Sequence, residues 1–420
     1  MLTKFNKRGK GGDTKLTRDV YGRLGHVISQ EEISMKVKGK ATWVALTVTI
    51  SLFLVFSCAR EKEPYKVGAV FSVTGHASFL GEPEKKTVEM ISAAINNVGG
   101  IKGHPLQLVL YDDESDKAKC VLAVKRLIKQ DQVVAIIGPS LSGHTLAVVK
   151  IANEEKVPLI SCAASNKIVT PIEERKWIFK VAQSDTHAVE KIYDHLLKRN
   201  INKIAIMSVS SEFGASGREE LLRLAPQVGI HIVADERYGP KDTDITAQLT
   251  RIRGTDAQAI VNWSVGPTQV LAVRNWRDLE MTNIPFYQSH GFGSRKNIEL
   301  ADGAAEGIFC PLGRVNIPNL VPENHPQTKL IKVYNQAYQE KYNEPLSSFG
   351  GYAWDALNLV IDAMRAVGPD SSQIRDYIET RTNYVGTHGV FNFSPTDHNG
   401  LTKEAFEMVV VKDGDWALAP

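Results

Sequence analysis

The stretch VVAIIGPSLSGHT, Val133 to Thr145, decides the fold. Its first residues are apolar without alternation, so a strand there has both faces covered. Gly138 and Pro139 end it, and Ser140-Leu141-Ser142-Gly143-His144-Thr145 opens a helical spacing from Thr145 to Glu155. VPLIS, Val157 to Ser161, is again a short apolar strand. Strand, loop, helix, strand is a crossover unit of a parallel sheet.

The same rhythm runs upstream. Tyr65 to Val73 reads as a strand, Gly75 to Leu80 as a loop, and Glu82 to Val98 as a helix stopped by Gly99-Gly100. Leu106 to Tyr111 is a strand and Asp116 to Gln130 a helix. Downstream it restarts. The strands are Ile204 to Val209, His231 to Tyr238, Ala259 to Trp263 and Pro285 to Gln288. Between them run helices Gly217 to Val228, Asp244 to Arg253 and Thr268 to Leu279. After Gly307 to Cys310 come helices from Gln327 to Tyr342, Tyr352 to Val367 and Asp370 to Arg381, then strand-like Gly389 to Phe393 and Phe406 to Lys412. The spacing predicts two similar α/β lobes with parallel sheets, the chain crossing back to the first.

The 420 residues carry 43% hydrophobic and 23% charged side chains, ordinary for a chain with sizeable cores. The net charge is +3, with the basic excess in residues 1–40, so the body offers no basic stripe to nucleic acid. Trp43 to Phe56 is uncharged and short for a bilayer span, but has the length of a signal's apolar region. Lys36, Lys38 and Lys40 precede it. Met35 is therefore read as the true start, residues 1–34 as a mis-annotated extension, and 35–57 as the signal. The alternative is a cytoplasmic extension before a membrane anchor. Val55-Phe56-Ser57-Cys58 resembles a bacterial lipobox, which implies lipidation at Cys58 and a tether over 58–64. Cys120, Cys162 and Cys310 are widely spaced, so no metal site is expected and at least one thiol stays free.

Ligands of such sheets bind beyond the carboxyl ends of the strands. Ser140 to Thr145, Cys162 to Asn166, Ser211 to Gly214 and Ser289 to Gly291 are the loops there, rich in small hydroxyl residues suited to a carboxylate. The GxG at Gly291-Phe292-Gly293 lacks a third glycine, so no dinucleotide is expected. Tyr111 to Asp116 lacks the glycine and glutamate of a calcium loop and reads as a strand end with a helix cap. No nucleophile, base and orienting group assemble, so a binder without cofactor is favoured over an enzyme.

GAVFSVTG (68–75), AAINNVGGIKGHPLQLVLYDDESD (93–116), VVAIIGPSLSGHT and VPLISCAASN (157–166) resemble the branched-chain amino-acid binding proteins of ABC importers. The resemblance implies the type I periplasmic binding fold: two doubly wound parallel-sheet lobes joined by three hinge crossings that close on a small ligand. The lobes are expected over 65–182 with 313–391, and over 183–312 with 392–420. It also implies an extracytoplasmic, monomeric protein that hands its ligand to a membrane permease. The ligand carboxylate falls to Ser142, strand-end contacts to Ala163, Ala164 and Ser165, and side-chain walls to Phe79 or Leu80 and to Phe213. An aromatic expected near Val265 is missing there, with Trp263 two residues away. The acid that pairs with a ligand ammonium aligns at His290, which cannot supply that charge; Asp242 or Glu212 are the candidate substitutes. Ser289-His290-Gly291 resembles a subgroup associated with aromatic acids. The ligand is thus a branched-chain amino acid or related small carboxylate, or an aromatic acid. A sensor domain of the same fold is the alternative function.

Overall fold

The computed structural model describes residues 62–420. The readings of Met35, of the signal at 35–57 and of Cys58 lie outside the described residues.

The first sheet has strands β1 (Tyr65–Phe71), β2 (Leu106–Asp112), β3 (Ile136–Ile137), β4 (Leu159–Ser161) and β5 (Ile178–Lys180), in the order β2-β1-β3-β4-β5, all parallel. Helices α1 (Ser78–Asn97), α2 (Lys117–Arg126) and α3 (Ser142–Glu155) are its crossovers. Successive residues feed opposite cores, as the two-residue pleat requires. Ile136, Leu159 and Ile178 pack with Val124 of α2 and Val148 of α3. Ile137, Ile160 and Phe179 pack into the core that holds α1. This double coverage is why the strands read as unbroken apolar runs.

The second sheet has β6 (Lys203–Val209), β7 (His231–Tyr238), β8 (Ala259–Trp263), β9 (Phe286–Gln288) and β10 (Phe309–Gly313). Its helices are α4 (Asp185–Lys198), α5 (Glu212–Leu224), α6 (Thr246–Arg253), α7 (Pro267–Asp278) and α8 (Arg295–Ala301). The chain then returns to the first lobe as α9 (Thr328–Tyr342), α10 (Ser348–Val367), α11 (Ser371–Glu379) and a hairpin of β11 (Tyr384–Val385) and β12 (Val390–Phe391). It ends with β13 (Phe406–Lys412) and β14 (Asp415–Leu418), giving the order β14-β13-β10-β9-β8-β6-β7.

The second sheet departs from a purely parallel one. β13 pairs antiparallel with β10, and β14 antiparallel with β13. For β14 the cause is local: Asp413-Gly414, both at positive φ, make a two-residue turn, which can only join antiparallel strands. β5, α4 and β14 are elements that the sequence pattern left unassigned. α1 begins at Ser78, so Phe79 and Leu80 lie in its first turn rather than in a loop.

The chain passes between the sheets after β5, after β10 and after β12, and the first and third passages are bonded together. Gln183 Nε2 donates to the carbonyls of His388 (3.2 Å) and Ala405 (3.4 Å). Asn399 Nδ2 donates to the carbonyls of Lys180 (3.2 Å) and Ala182 (3.0 Å). Asp355 of α10, fully buried, anchors the β11–β12 turn. Its carboxylate accepts the backbone N–H groups of Thr387 (2.6 Å) and His388 (3.0 Å).

Candidate functional site

The carboxyl ends of the parallel strands in the two sheets face one another across a cleft. Leu80 and Glu84 reach it from α1, because Gly81 lets that helix abut the end of β1: a Cβ on Gly81 would sit 2.2 Å from the Ser72 carbonyl. Ser140 and Ser142 come from the turn after β3, and Ala163 and Ala164 from the end of β4. The second lobe contributes Phe213 from the first turn of α5, Val265 after β8, and His290 after β9. The cavity they line is narrow, about 40 Å³, and opens to solvent on one side.

Leu80, Ser142, Ala163, Ala164, Phe213, Val265 and His290 are thus brought together around one cavity. Ser165 and Phe79 lie off it. Ser165 is fully buried; its N–H donates to Ser142 Oγ (3.3 Å), and its hydroxyl donates across the cleft to Ser216 of α5 (2.8 Å). It joins the lobes rather than lining the cavity. Phe79 stacks edge-on against Phe349 (5.9 Å) and lies close to Gly266 of the opposite lobe.

Ser142 is the first residue of α3, and no side chain caps that helix; the His144 and Thr145 N–H groups donate to the Leu141 carbonyl, so those of Ser142 and Gly143 are left for an anion. The other strand end offers less. The Ala163 N–H is committed to Ser161 Oγ (3.1 Å), and the Ala164 carbonyl accepts the buried Lys180 ammonium (2.9 Å). Trp263 is buried beneath the second-lobe wall, packed against Phe213 (6.0 Å) and His290 (5.8 Å). It supplies from below the aromatic surface missing near Val265.

Sequence reasoning missed Glu84, Phe349 and Tyr352, all on the wall. Glu84 carried a signal: it is four residues after Leu80, on the buried face of α1, where an acid is out of place. Burial raises its pKa well above the usual carboxylate range; the hydrogen bond from Ser140 opposes this and the Asp113 charge adds to it. Behind it a polar chain continues, from Ser72 Oγ to Asp113 (2.6 Å) and from Asp113 to His144 Nδ1 (2.7 Å). Asp113, Cys120 and His144 form a buried group with metal-ligand atoms within 4.8 Å. Asp113 also accepts the Ser115 N–H (2.9 Å). A metal would break these bonds, so the cluster reads as a hydrogen-bonded support for the loop.

The periplasmic binding protein family matches residues 64–415. The chain belongs to that family. Similar curated proteins include the leucine-, isoleucine-, valine-, threonine- and alanine-binding protein of Pseudomonas aeruginosa, 23% identical over 80% of this chain and 87% of that protein. The Leu/Ile/Val-binding protein of Escherichia coli is also 23% identical, over 83% and 90%. Among solved structures, an extracellular ligand-binding receptor from Rhodopseudomonas palustris superposes with a TM-score of 0.79 at 27% identity, covering 85% of this chain and all of that one. A branched-chain amino acid transporter substrate-binding protein from Streptococcus pneumoniae, in complex with isoleucine, gives 0.72 at 25%, covering 84% and 98%.

In this periplasmic binding protein the substitute acids named from sequence do not line the cavity. Asp242 is exposed and caps the Gly239 N–H (2.7 Å). Glu212 is exposed, its side chain near Gly143. His290 has no hydrogen bond at either ring nitrogen. Burial pushes its pKa down to about 3, with the Lys180 and His388 charges adding. In the unfolded chain it titrates near 6.5. Between these values the unfolded state binds the extra proton, so this residue removes stability as pH falls from about 6.5 to about 3, at up to about 1.4 kcal/mol per pH unit. Asp185, raised to about 7 mainly by burial, acts in the opposite direction over part of that range. The readout is therefore the difference between the parent and His290→Asn in thermal melts from pH 7 to 4. The variant should lose less stability on acidification; parallel curves would contradict the assignment.

Proposed function

We propose that this chain is the solute-capturing component of an ABC importer. It holds a small carboxylate ligand, a branched-chain amino acid or a close relative, between its two lobes and delivers it to a membrane permease. Its place is the extracytoplasmic face of a membrane, with Cys58 as the lipid anchor, and its action is binding rather than catalysis. The observation that carries the reading is the cavity between facing strand ends, with the uncapped start of α3 on its wall. The names of the curated relatives and the isoleucine in the pneumococcal structure support the ligand class. Closure of the lobes, bridged by Ser165 and Ser216, suits a protein whose closed form is what a permease recognises.

His290 in place of an acid, among Phe213, Phe349 and Tyr352, favours a second reading in which the ligand is an aromatic carboxylate. Thermal melts of the purified protein with leucine, isoleucine and valine, and with benzoate and 4-hydroxybenzoate, separate the two. A ligand at a hundred times its Kd stabilises the folded state by about 2.7 kcal/mol. A rise with the first set supports the first reading. No rise with either set removes both. Mass spectrometry of the mature N-terminus should show an acylated Cys58.

A further inference from the structure

The cavity wall holds one acidic side chain, Glu84, and no lysine or arginine. Glu84 is 1% exposed. Ser140 Oγ accepts the Ser72 N–H (3.1 Å) and directs its own hydrogen to Glu84 Oε2. This bond fixes the carboxyl group and leaves Oε1 for a ligand. A buried carboxylate is costly without a cation. The buried cation of this region, Lys180, is committed elsewhere, donating to the carbonyls of Ala164 and Ala182 at 2.9 Å each. His290 stays neutral and offers a lone pair rather than a charge.

The cavity therefore has a carboxyl pole at Glu84, whose charged form a ligand cation would stabilise, and an anion-accepting pole at Ser142 and the start of α3. A ligand that carries both complementary charges, as an α-amino acid does, matches the two poles. The rest of the wall, Leu80, Leu141, Phe213, Val265 and Phe349, is apolar.

We propose that Glu84, from the first lobe, is the counter-ion for the ammonium group of the amino-acid ligand. The unprotonated ring nitrogen of His290 is a second acceptor for the same ammonium. This rests on the reading of the cavity as the ligand site. It moves the ammonium contact from the second-lobe position, where the family resemblance places an acid, to the opposite wall.

The test pairs leucine with its deaminated counterpart, 4-methylpentanoate, in calorimetry on the parent protein and on Glu84→Gln. The parent should prefer leucine. Glu84→Gln should lose leucine affinity by about 10- to 100-fold, the range of a hydrogen bond to a charged group, and hold or gain affinity for 4-methylpentanoate. Glu84→Gln binding leucine within threefold of the parent, or a parent that prefers 4-methylpentanoate, overturns the proposal while leaving a ligand site. A parent that binds no amino acid or carboxylate overturns the ligand-site reading itself, and the proposal with it. If Glu84→Gln does not fold, Glu84→Asp replaces it: leucine preference kept at lower affinity supports the proposal, and equal affinity overturns it.

Discussion

Asp355→Ala should unfold about 3–5 kcal/mol more easily than the parent in urea, the range for removing one side of a buried charged network. The residue is fully buried and its four polar contacts all run to two consecutive residues. Oδ1 takes the Thr387 N–H at 2.6 Å; Oδ2 takes the His388 N–H at 3.0 Å and lies 3.0 Å from the Thr387 hydroxyl and 3.3 Å from His388 Nδ1. Alanine leaves two buried backbone N–H groups unpaired, each at a cost of about 1–3 kcal/mol. The damage reaches further than the turn. The His388 carbonyl accepts Gln183 from the first passage between the sheets, and its ring stacks at 3.9 Å on Tyr352, a cavity wall residue. Ligand affinity should therefore fall along with stability. A loss below about 1 kcal/mol would mean that the turn is held by other contacts, such as Gln327 Nε2 on the carbonyls of Gly386 and Thr387.

His290→Ala should do the reverse, lowering affinity by about 10- to 100-fold with little change in folding stability. Its ring contacts Phe213 at 5.4 Å and Phe406 at 5.5 Å, and alanine forfeits that packing. Both ring nitrogens, however, are buried without partners, and their removal relieves a desolvation cost that offsets the lost contacts. Calorimetry and thermal melts on one preparation separate the two effects. Unchanged affinity would remove His290 from the site, and His290→Asn should recover part of the loss by restoring a donor and an acceptor.

Much of this architecture is legible in the sequence, because strands covered on both faces leave apolar runs that no surface element imitates. The strands His231–Tyr238, Ala259–Trp263 and Phe406–Lys412 have the bounds that their sequence pattern predicts. Ile178–Lys180 was not, since three residues ending in a buried lysine resemble a loop, and that lysine is tolerated only because two carbonyls take up its ammonium. The site divides along the same line. Residues on strand-end loops are legible from the position of the strand. Glu84, Phe349 and Tyr352 stand on helices, where a residue facing a cavity has the same spacing as one facing a core. Only the packing of α1 against α10 brings them to the cleft.

The antiparallel flank of the second sheet also bears on how the protein is made. β10 cannot acquire its neighbour until Phe406–Lys412 has emerged, after the whole of α9, α10 and α11. Until then its outer edge is a bare row of N–H and C=O groups, the kind of template on which chains aggregate. Long-range pairing of this sort folds slowly. In a chain wired this way the second lobe stays incomplete, with that edge open, until the last strands arrive.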